Sequence, residues 1–129
     1  MKIEHLAIWV SDLEAMRIFY THYFDLVSGE KYINDKKGFT SYFLTFGNGL
    51  SRIELMNRLD INTDYKNRGN ILGLAHIAFS VGSKEAVNQL TERLRSDNYT
   101  IASEPRTSGD GYYESVVLDP EGNQIEIIA

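Results

Sequence analysis

The chain contains no cysteine. That absence removes disulfides, thiolate metal sites and cysteine nucleophiles together. Long apolar runs are missing too: none approaches the ~18 residues that a membrane span requires. The opening residues MKIEHLAIWV have neither the apolar stretch nor the cleavage site of a secretory leader. Positive charge is in short supply, with 13 Lys and Arg against 18 Asp and Glu and a net charge of −5. No basic stripe interrupts that balance, so nucleic acid is not an expected partner and neither is a membrane. Cytoplasmic residence is the default expectation. What remains is an ordinary globular composition, 43% hydrophobic and 24% charged over 129 residues. This is one domain, or two half-domains sharing a core. A half of about 55 residues buries little apolar surface alone, so the halves are expected to pack on each other or on a second chain.

What the chain does have is an internal repeat. EHLAIWVSD near the start returns as AHIAFSVGS, and SRIELM in the middle returns as NQIEII at the end. Each copy carries one histidine early and one glutamate late: His5 with Glu54, then His76 with Glu126. The two histidines are 71 residues apart and the two glutamates 72.

Hydrophobic periodicity assigns the same element order to both copies. In residues 3–10, Leu6, Ile8 and Val10 alternate with His5, Ala7 and Trp9, as in a strand with one buried face. Ser11 to Glu14 reads as a capping box with Ser11 at the N-cap. Leu13, Met16, Phe19, Tyr20 and Tyr23 then recur at helical spacing, predicting a helix over 12–24. Strands are expected at 26–32, 39–46 and 51–56, separated by DKKG and Gly47-Asn48-Gly49 turns. The polar segment 58–73 reads as a connecting loop. The second copy predicts a strand over 74–81 and a helix over 83–97 with Val87, Leu90 and Leu94 on its buried stripe. Strands at 100–102, 112–118 and 124–128 follow, with DPEGN as a turn before the last. The expectation is an α+β protein of two βαβββ modules, about 1–57 and 74–129, within a single domain.

Alternation also gives direction. Ile53 and Leu55 take the apolar face of one strand and leave Arg52, Glu54 and Met56 opposite; Ile125 and Ile127 leave Gln124, Glu126 and Ile128. His5, Glu54, His76 and Glu126 therefore all sit on the face away from the main apolar one. A lone strand histidine is more often a hydrogen-bonded structural residue, and a lone strand glutamate a solvated charge. A set matched in type, order and facing points instead to a divalent metal site. Imidazole and carboxylate together suit Zn²⁺, Ni²⁺, Co²⁺, Mn²⁺ or Fe²⁺, and a carboxylate that can detach is a general base beside a polarised substrate. His22 has no counterpart in the other copy and reads as a surface residue. Gly109-Asp110-Gly111 reads as a turn, because no Gly-Lys-Ser/Thr follows it to make a phosphate cradle.

At these residues the chain resembles the glyoxalase I, or vicinal oxygen chelate, superfamily (glyoxalase, bleomycin resistance and dioxygenase proteins). HLAIWVSDLEAMRIFY resembles the family's opening strand and helix; GLAHIAFSV and LDPEGNQIEII resemble the start and the end of its second module. The resemblance implies paired βαβββ modules forming a curved-sheet cleft, usually in a homodimer. It places His5, Glu54, His76 and Glu126 where glyoxalase I carries its metal ligands, with Zn or Ni the expected ion. It implies a lyase or isomerase acting on a small α-oxo-aldehyde–thiol adduct through a metal-stabilised enediolate, as in lactoylglutathione lyase. Glu126 or Glu54 would move the proton.

The chain departs from that pattern at Trp9, where glyoxalase I carries an arginine that holds glutathione's carboxylate. It departs again at Asn57, three rather than four residues beyond Glu54, with Arg58 at the fourth. Arg58 or Arg106 is the expected source of the missing positive charge, and Trp9 and Tyr113 are expected to line the substrate site. Trp9 favours a flatter, more apolar ligand or a different thiol cosubstrate. Other activities within the same superfamily stand beside this reading: an epimerase, a thiol transferase, a dioxygenase, or a bleomycin-resistance-type protein that binds its ligand without catalysis, with Trp9, Tyr42 and Tyr113 lining its cleft.

Overall fold

The computed structural model describes residues 1–47, 49, 51–61 and 68–129. Asn48, the centre of one expected turn, and residues 62–67 of the expected connecting loop lie outside them. The fold is α+β, and the chain divides into two compact units, Met1–Asp64 and Tyr65–Ala129.

In the first unit, strand β1 (His5–Trp9) leads into helix α1 (Leu13–Tyr23). The helix starts one residue later than the capping box suggests. Asp12, not Ser11, is the N-cap, and its side chain accepts from the Ala15 amide at 2.9 Å. Glu14 is thereby freed from a capping role. The helix ends at Phe24, whose amide bonds back to the Tyr20 carbonyl, and Asp25 takes up a left-handed φ of 53°. The five residues at helical spacing, Leu13, Met16, Phe19, Tyr20 and Tyr23, are the five that the helix buries.

The next expected strand is broken in two, β2 (Val27–Ser28) and β3 (Tyr32–Asn34), and both pair antiparallel with β4 (Phe39–Thr45). Three residues, 29–31, stand opposite two, Tyr42 and Phe43, so the break is a bulge. It is pinned where the Gly29 amide donates to the Phe43 carbonyl at 2.8 Å. A short 3-10 turn, Asp35–Lys37, closes the hairpin. Strand β5 (Arg52–Arg58) pairs antiparallel with β4 and parallel with β1, so the sheet runs β1-β5-β4-β2. Helix α1 packs on β4 and β5, and Met16, Phe19, Leu44, Ile53 and Leu55 form the core between them.

The second unit repeats this plan. It contains β6 (Ile77–Ser80), α2 (Lys84–Ser96), β7 (Ile101–Thr107), β8 (Tyr113–Leu118) and β9 (Gln124–Ile128), in sheet order β6-β9-β8-β7. Its first strand again pairs parallel with its last. Ser83 caps α2 through the Ala86 amide at 3.1 Å. At the other end Asn98 is left-handed, with φ 66°, and the Tyr99 amide reaches back to the Leu94 carbonyl. Strand β7 runs five residues past the expected end, through Pro105. A proline is tolerated there because β7 is an edge strand with register shifts on either side of Ser103.

Helix α2 buries Val87, Thr91 and Leu94 against Val117, Ile125 and Ile127. Leu90, expected on the buried stripe, is only half-buried. Thr91 takes the place because its hydroxyl is satisfied twice, by the Val87 carbonyl and the Ser115 hydroxyl, each at 2.7 Å. Ahead of β6 the backbone passes close to β9. At Gly69, φ +77°, a Cβ would meet the Ala75 carbonyl and the Gln124 side chain at 2.6 Å, so only glycine fits. The DPEGN turn is set by Asp119, whose Oδ1 accepts from the Glu121 and Asn123 amides at 3.0 and 2.9 Å.

Candidate functional site

Both helices lie on the Ile53/Leu55 and Ile125/Ile127 side of their sheets, so alternation puts Glu54 and Glu126 on the faces that the helices leave uncovered. Strand register then decides what each glutamate meets. In β1–β5, Glu54 pairs with Ala7, two residues beyond His5. In β6–β9, Glu126 pairs with Ala78, two residues beyond His76. The histidine thus lies diagonally from the glutamate in both units, on β1 in the first and directly ahead of β6 in the second, where the strand is shorter than the expected 74–81. His5 Nε2 is 3.8 Å from Glu54 Oε2, and His76 Nε2 is 2.9 Å from Glu126 Oε2. The carboxylates are the more sheltered partners, 15% and 13% exposed against 38% and 47% for the imidazoles. Among the described residues no three or more His, Asp or Glu side chains gather in a metal-holding arrangement. Each unit offers two donors of the borderline type.

The surroundings of the two pairs differ. In the first unit Glu4 hydrogen-bonds His5 Nδ1 and also pairs with Arg52. The bond to His5, then Arg52, holds the Glu4 carboxyl below the usual carboxylate range. With Nδ1 tied to Glu4, Nε2 is the nitrogen presented to Glu54. Phe43 meets the His5 ring edge-on at 5.5 Å, and the Arg52 guanidinium lies over Phe43 at 4.1 Å. In the second unit the support falls on the carboxylate. Glu114, on β8, hydrogen-bonds Glu126, and that bond, with burial, pushes the Glu114 carboxyl up. Arg106 Nη2 sits 3.4 Å from Glu114 Oε1.

Glu4 and Glu114 are residues that pattern reading missed. Glu114 had a signal: YESVVL alternates, and Ser115 and Val117 are its fully buried residues. Glu114 and Val116 must therefore share the Glu126 face. The same parity corrects two expectations. Tyr113 lies on the helix side of β8, where its hydroxyl donates to Asn88 at 2.9 Å and Lys84 approaches its ring. Tyr42 lies on the helix side of β4 and donates to Glu14 at 2.9 Å. Neither faces its unit's His–Glu pair.

Asn57 is engaged structurally: its amide donates to the carbonyls of Val10 at 2.8 Å and Ser11 at 3.2 Å, tying down the end of β1. Trp9 and Arg58 come together on the uncovered face, with the guanidinium 5.3 Å from the indole ring. Arg106 serves Glu114 and Ser103. His22 lies in the last turn of α1, edge-on to Tyr23.

The profile described as Glyoxalase/Bleomycin resistance protein/Dioxygenase superfamily matches residues 2–127. Two Bacillus subtilis (strain 168) proteins, both described as uncharacterized, are similar in sequence. YqjT is 25% identical over 130 residues, spanning 98% of each chain, and YwkD is 35% identical over 106 residues, 76% of this chain and 80% of its own. Glyoxalase I from Zea mays has the same fold, with a TM-score of 0.79 at 24% identity over 98% of this chain. The present chain spans only 44% of that longer one.

Proposed function

The chain belongs to the Glyoxalase/Bleomycin resistance protein/Dioxygenase superfamily, and from that premise we propose that it is a divalent-metal-dependent lyase or isomerase of glyoxalase I type. Its substrate is a small α-oxo-aldehyde–thiol adduct, and it works as a cytoplasmic homodimer. The observation that carries the reading is the pair of matched His–Glu diagonals, at 3.8 and 2.9 Å.

His5, Glu54, His76 and Glu126 are the residues that would hold the ion. The donor set fits: two imidazoles supply neutral nitrogen, and two carboxylates offset a 2+ charge. Bound there, the ion supplies Lewis-acid polarisation of the substrate's two adjacent oxygens. The remaining work falls to the side chains. Glu4 fixes which imidazole nitrogen His5 presents. Glu54 or Glu126 takes a proton from one substrate carbon at its Oε and returns it to the neighbouring carbon, which leaves atoms and electrons balanced with no oxidant or reductant.

The test combines metal analysis with turnover of methylglyoxal–thiol hemithioacetals. The expected result is a stoichiometric divalent ion, and activity lost in Glu54→Gln and Glu126→Gln while circular dichroism stays unchanged. A protein purified without chelator that carries no ion and takes up none on titration would overturn the proposal, and a non-catalytic ligand-binding role would replace it.

A further inference from the structure

The first unit carries an aromatic corner on the same sheet face as His5 and Glu54. Trp9 on β1 and Phe39 on β4 meet edge-on, with centroids 6.1 Å apart and planes at 90°. Tyr32 on β3 extends the corner, 6.1 Å from Phe39 and tilted by 60°. Register explains why they meet. Tyr32 pairs with Ser41, Phe39 pairs with Arg58, and Ser41 and Trp9 both pair with Met56. These residues therefore form adjoining rows on one face. Trp9 lies four residues along β1 from His5, about 13 Å at the usual rise of a strand.

Arg58 borders the corner, and Lys37 shares a cleft with it. The Arg58 guanidinium lies over Trp9 at 5.3 Å, and its Nε edge is taken by Asp60. That leaves the two terminal nitrogens as the ones an incoming carboxylate would meet side by side. Lys37 and Gly38 join Arg58, Leu59 and Asp60 around a cleft of about 380 Å³, at the lower end of the ~300–1,000 Å³ of small-molecule sites. Lys37 makes no ion pair among the described residues. An angled aromatic corner with a guanidinium at its edge is complementary to a ring with an anionic substituent: the ring packs into the angle between the side chains and the charge meets the cation.

We propose that the Trp9–Phe39–Tyr32 corner, edged by Arg58 with Lys37 beside it, is the subsite that receives a planar aromatic group carrying an anionic substituent, about 13 Å along β1 from His5 and two residues from the Glu54 row. The inference rests on the proposed function only in taking the His5–Glu54 pair as the reacting end. The adduct's remote end is thus an aryl acid, with the oxygen-bearing end toward Glu54 and the anionic ring toward Arg58.

Trp9 is the only tryptophan in the chain, so its fluorescence reports this corner directly and independently of turnover. The probes are phenylacetate, neutral phenylacetamide, cyclohexylacetate and glutathione, each titrated into the full-length protein. Phenylacetate is expected to shift or quench the emission saturably. Phenylacetamide, which lacks the charge, and cyclohexylacetate, which lacks the flat ring, should bind about tenfold or more weakly. Arg58→Gln should weaken phenylacetate about tenfold and leave phenylacetamide unchanged, with an unaltered melting temperature confirming the fold. No saturable response to phenylacetate, equal binding of the amide or the cyclohexyl acid, or a saturable response to glutathione as strong as that to phenylacetate would each overturn the inference. Selective phenylacetate binding in a protein that takes up no metal would sink the lyase reading and leave this one standing.

Discussion

His76 Nε2 lies 2.9 Å from Glu126 Oε2 on β9, and His5 repeats the relation to Glu54 across β1–β5 at 3.8 Å. His5, Glu54 and Glu126 stand on strands and His76 directly precedes β6, so the backbone holds the side chains in place without help from a bound ion. Removing one donor should then affect ion binding and not folding. His76→Ala is expected to weaken divalent-ion affinity by more than the ~10–100-fold that an outer-shell partner commands, with the melting temperature of the chelator-treated protein little changed. Competitive titration against a chromogenic chelator measures the first and thermal unfolding the second. A variant that binds the ion as tightly as the parent would remove His76 from the ligand set.

Glu4 provides a finer test of the same site. Its carboxylate touches His5 Nδ1 and Arg52, and a buried role cannot account for it because the side chain is 56% exposed. Its contribution should therefore appear as orientation. Glu4→Gln is expected to reduce ion affinity about 10–100-fold, and Glu4→Asp should fall between the two. The depressed carboxyl gives the sign of the pH dependence. The anion that orients His5 is fully present above the ordinary value of 4.5 and is lost as pH falls below it. Unchanged affinity in Glu4→Gln would show that the contact is incidental.

Much of this fold can be read from sequence because the apolar spacing is regular. The α1 stripe of Leu13, Met16, Phe19, Tyr20 and Tyr23 is buried as its spacing dictates, and β9 occupies residues 124–128 as expected. The departures have local causes. Periodicity does not register a single extra residue, so the bulge at 29–31 splits a strand without changing the pattern. Pro105 reads as a strand end unless the strand is known to lie at an edge, which only the topology reveals. Leu90 gives way to Thr91 because Ser115, 24 residues on, supplies the hydroxyl's partner. At the site, the pattern marks His5, Glu54, His76 and Glu126. Glu4 and Glu114 have no equivalents in the other copy, and the repeat that points to the four is blind to what supports them.

Glu14 ties the first unit's helix to its sheet. Its carboxylate accepts from Lys31 at 3.1 Å, Arg17 at 3.0 Å and the Tyr42 hydroxyl at 2.9 Å. These bonds, Lys31's first, lower its pKa to about 2. The folded pKa lies below the ordinary 4.5, so the folded chain binds fewer protons than the unfolded one in between. The stabilisation is complete above 4.5 and disappears as pH falls toward about 2. The side chain is 47% exposed, and solvent screening limits the contribution to about 1 kcal/mol. Glu14→Gln should lower the unfolding free energy read from urea titration by that amount near neutral pH and by nothing at the acid end. A deficit that stays constant across the whole range would mean that the loss is one of packing, not charge.

The Thr91–Ser115 hydroxyl pair joins α2 to β8 inside the second core, both residues being fully buried. Thr91→Val keeps the volume and removes the hydroxyl, leaving Ser115 without that partner in a site closed to water. An unsatisfied buried hydroxyl costs about 1–3 kcal/mol. Ser115→Ala alone should cost less, because the Thr91 hydroxyl retains the Val87 carbonyl at 2.7 Å. The double variant Thr91→Val/Ser115→Ala leaves neither hydroxyl stranded. Its loss should be smaller than the sum of the two single losses, with a coupling of about 0.5–3 kcal/mol read from urea unfolding. Strict additivity would show that each hydroxyl is satisfied independently and that the helix is held to β8 by Val87, Leu94 and Val117 alone.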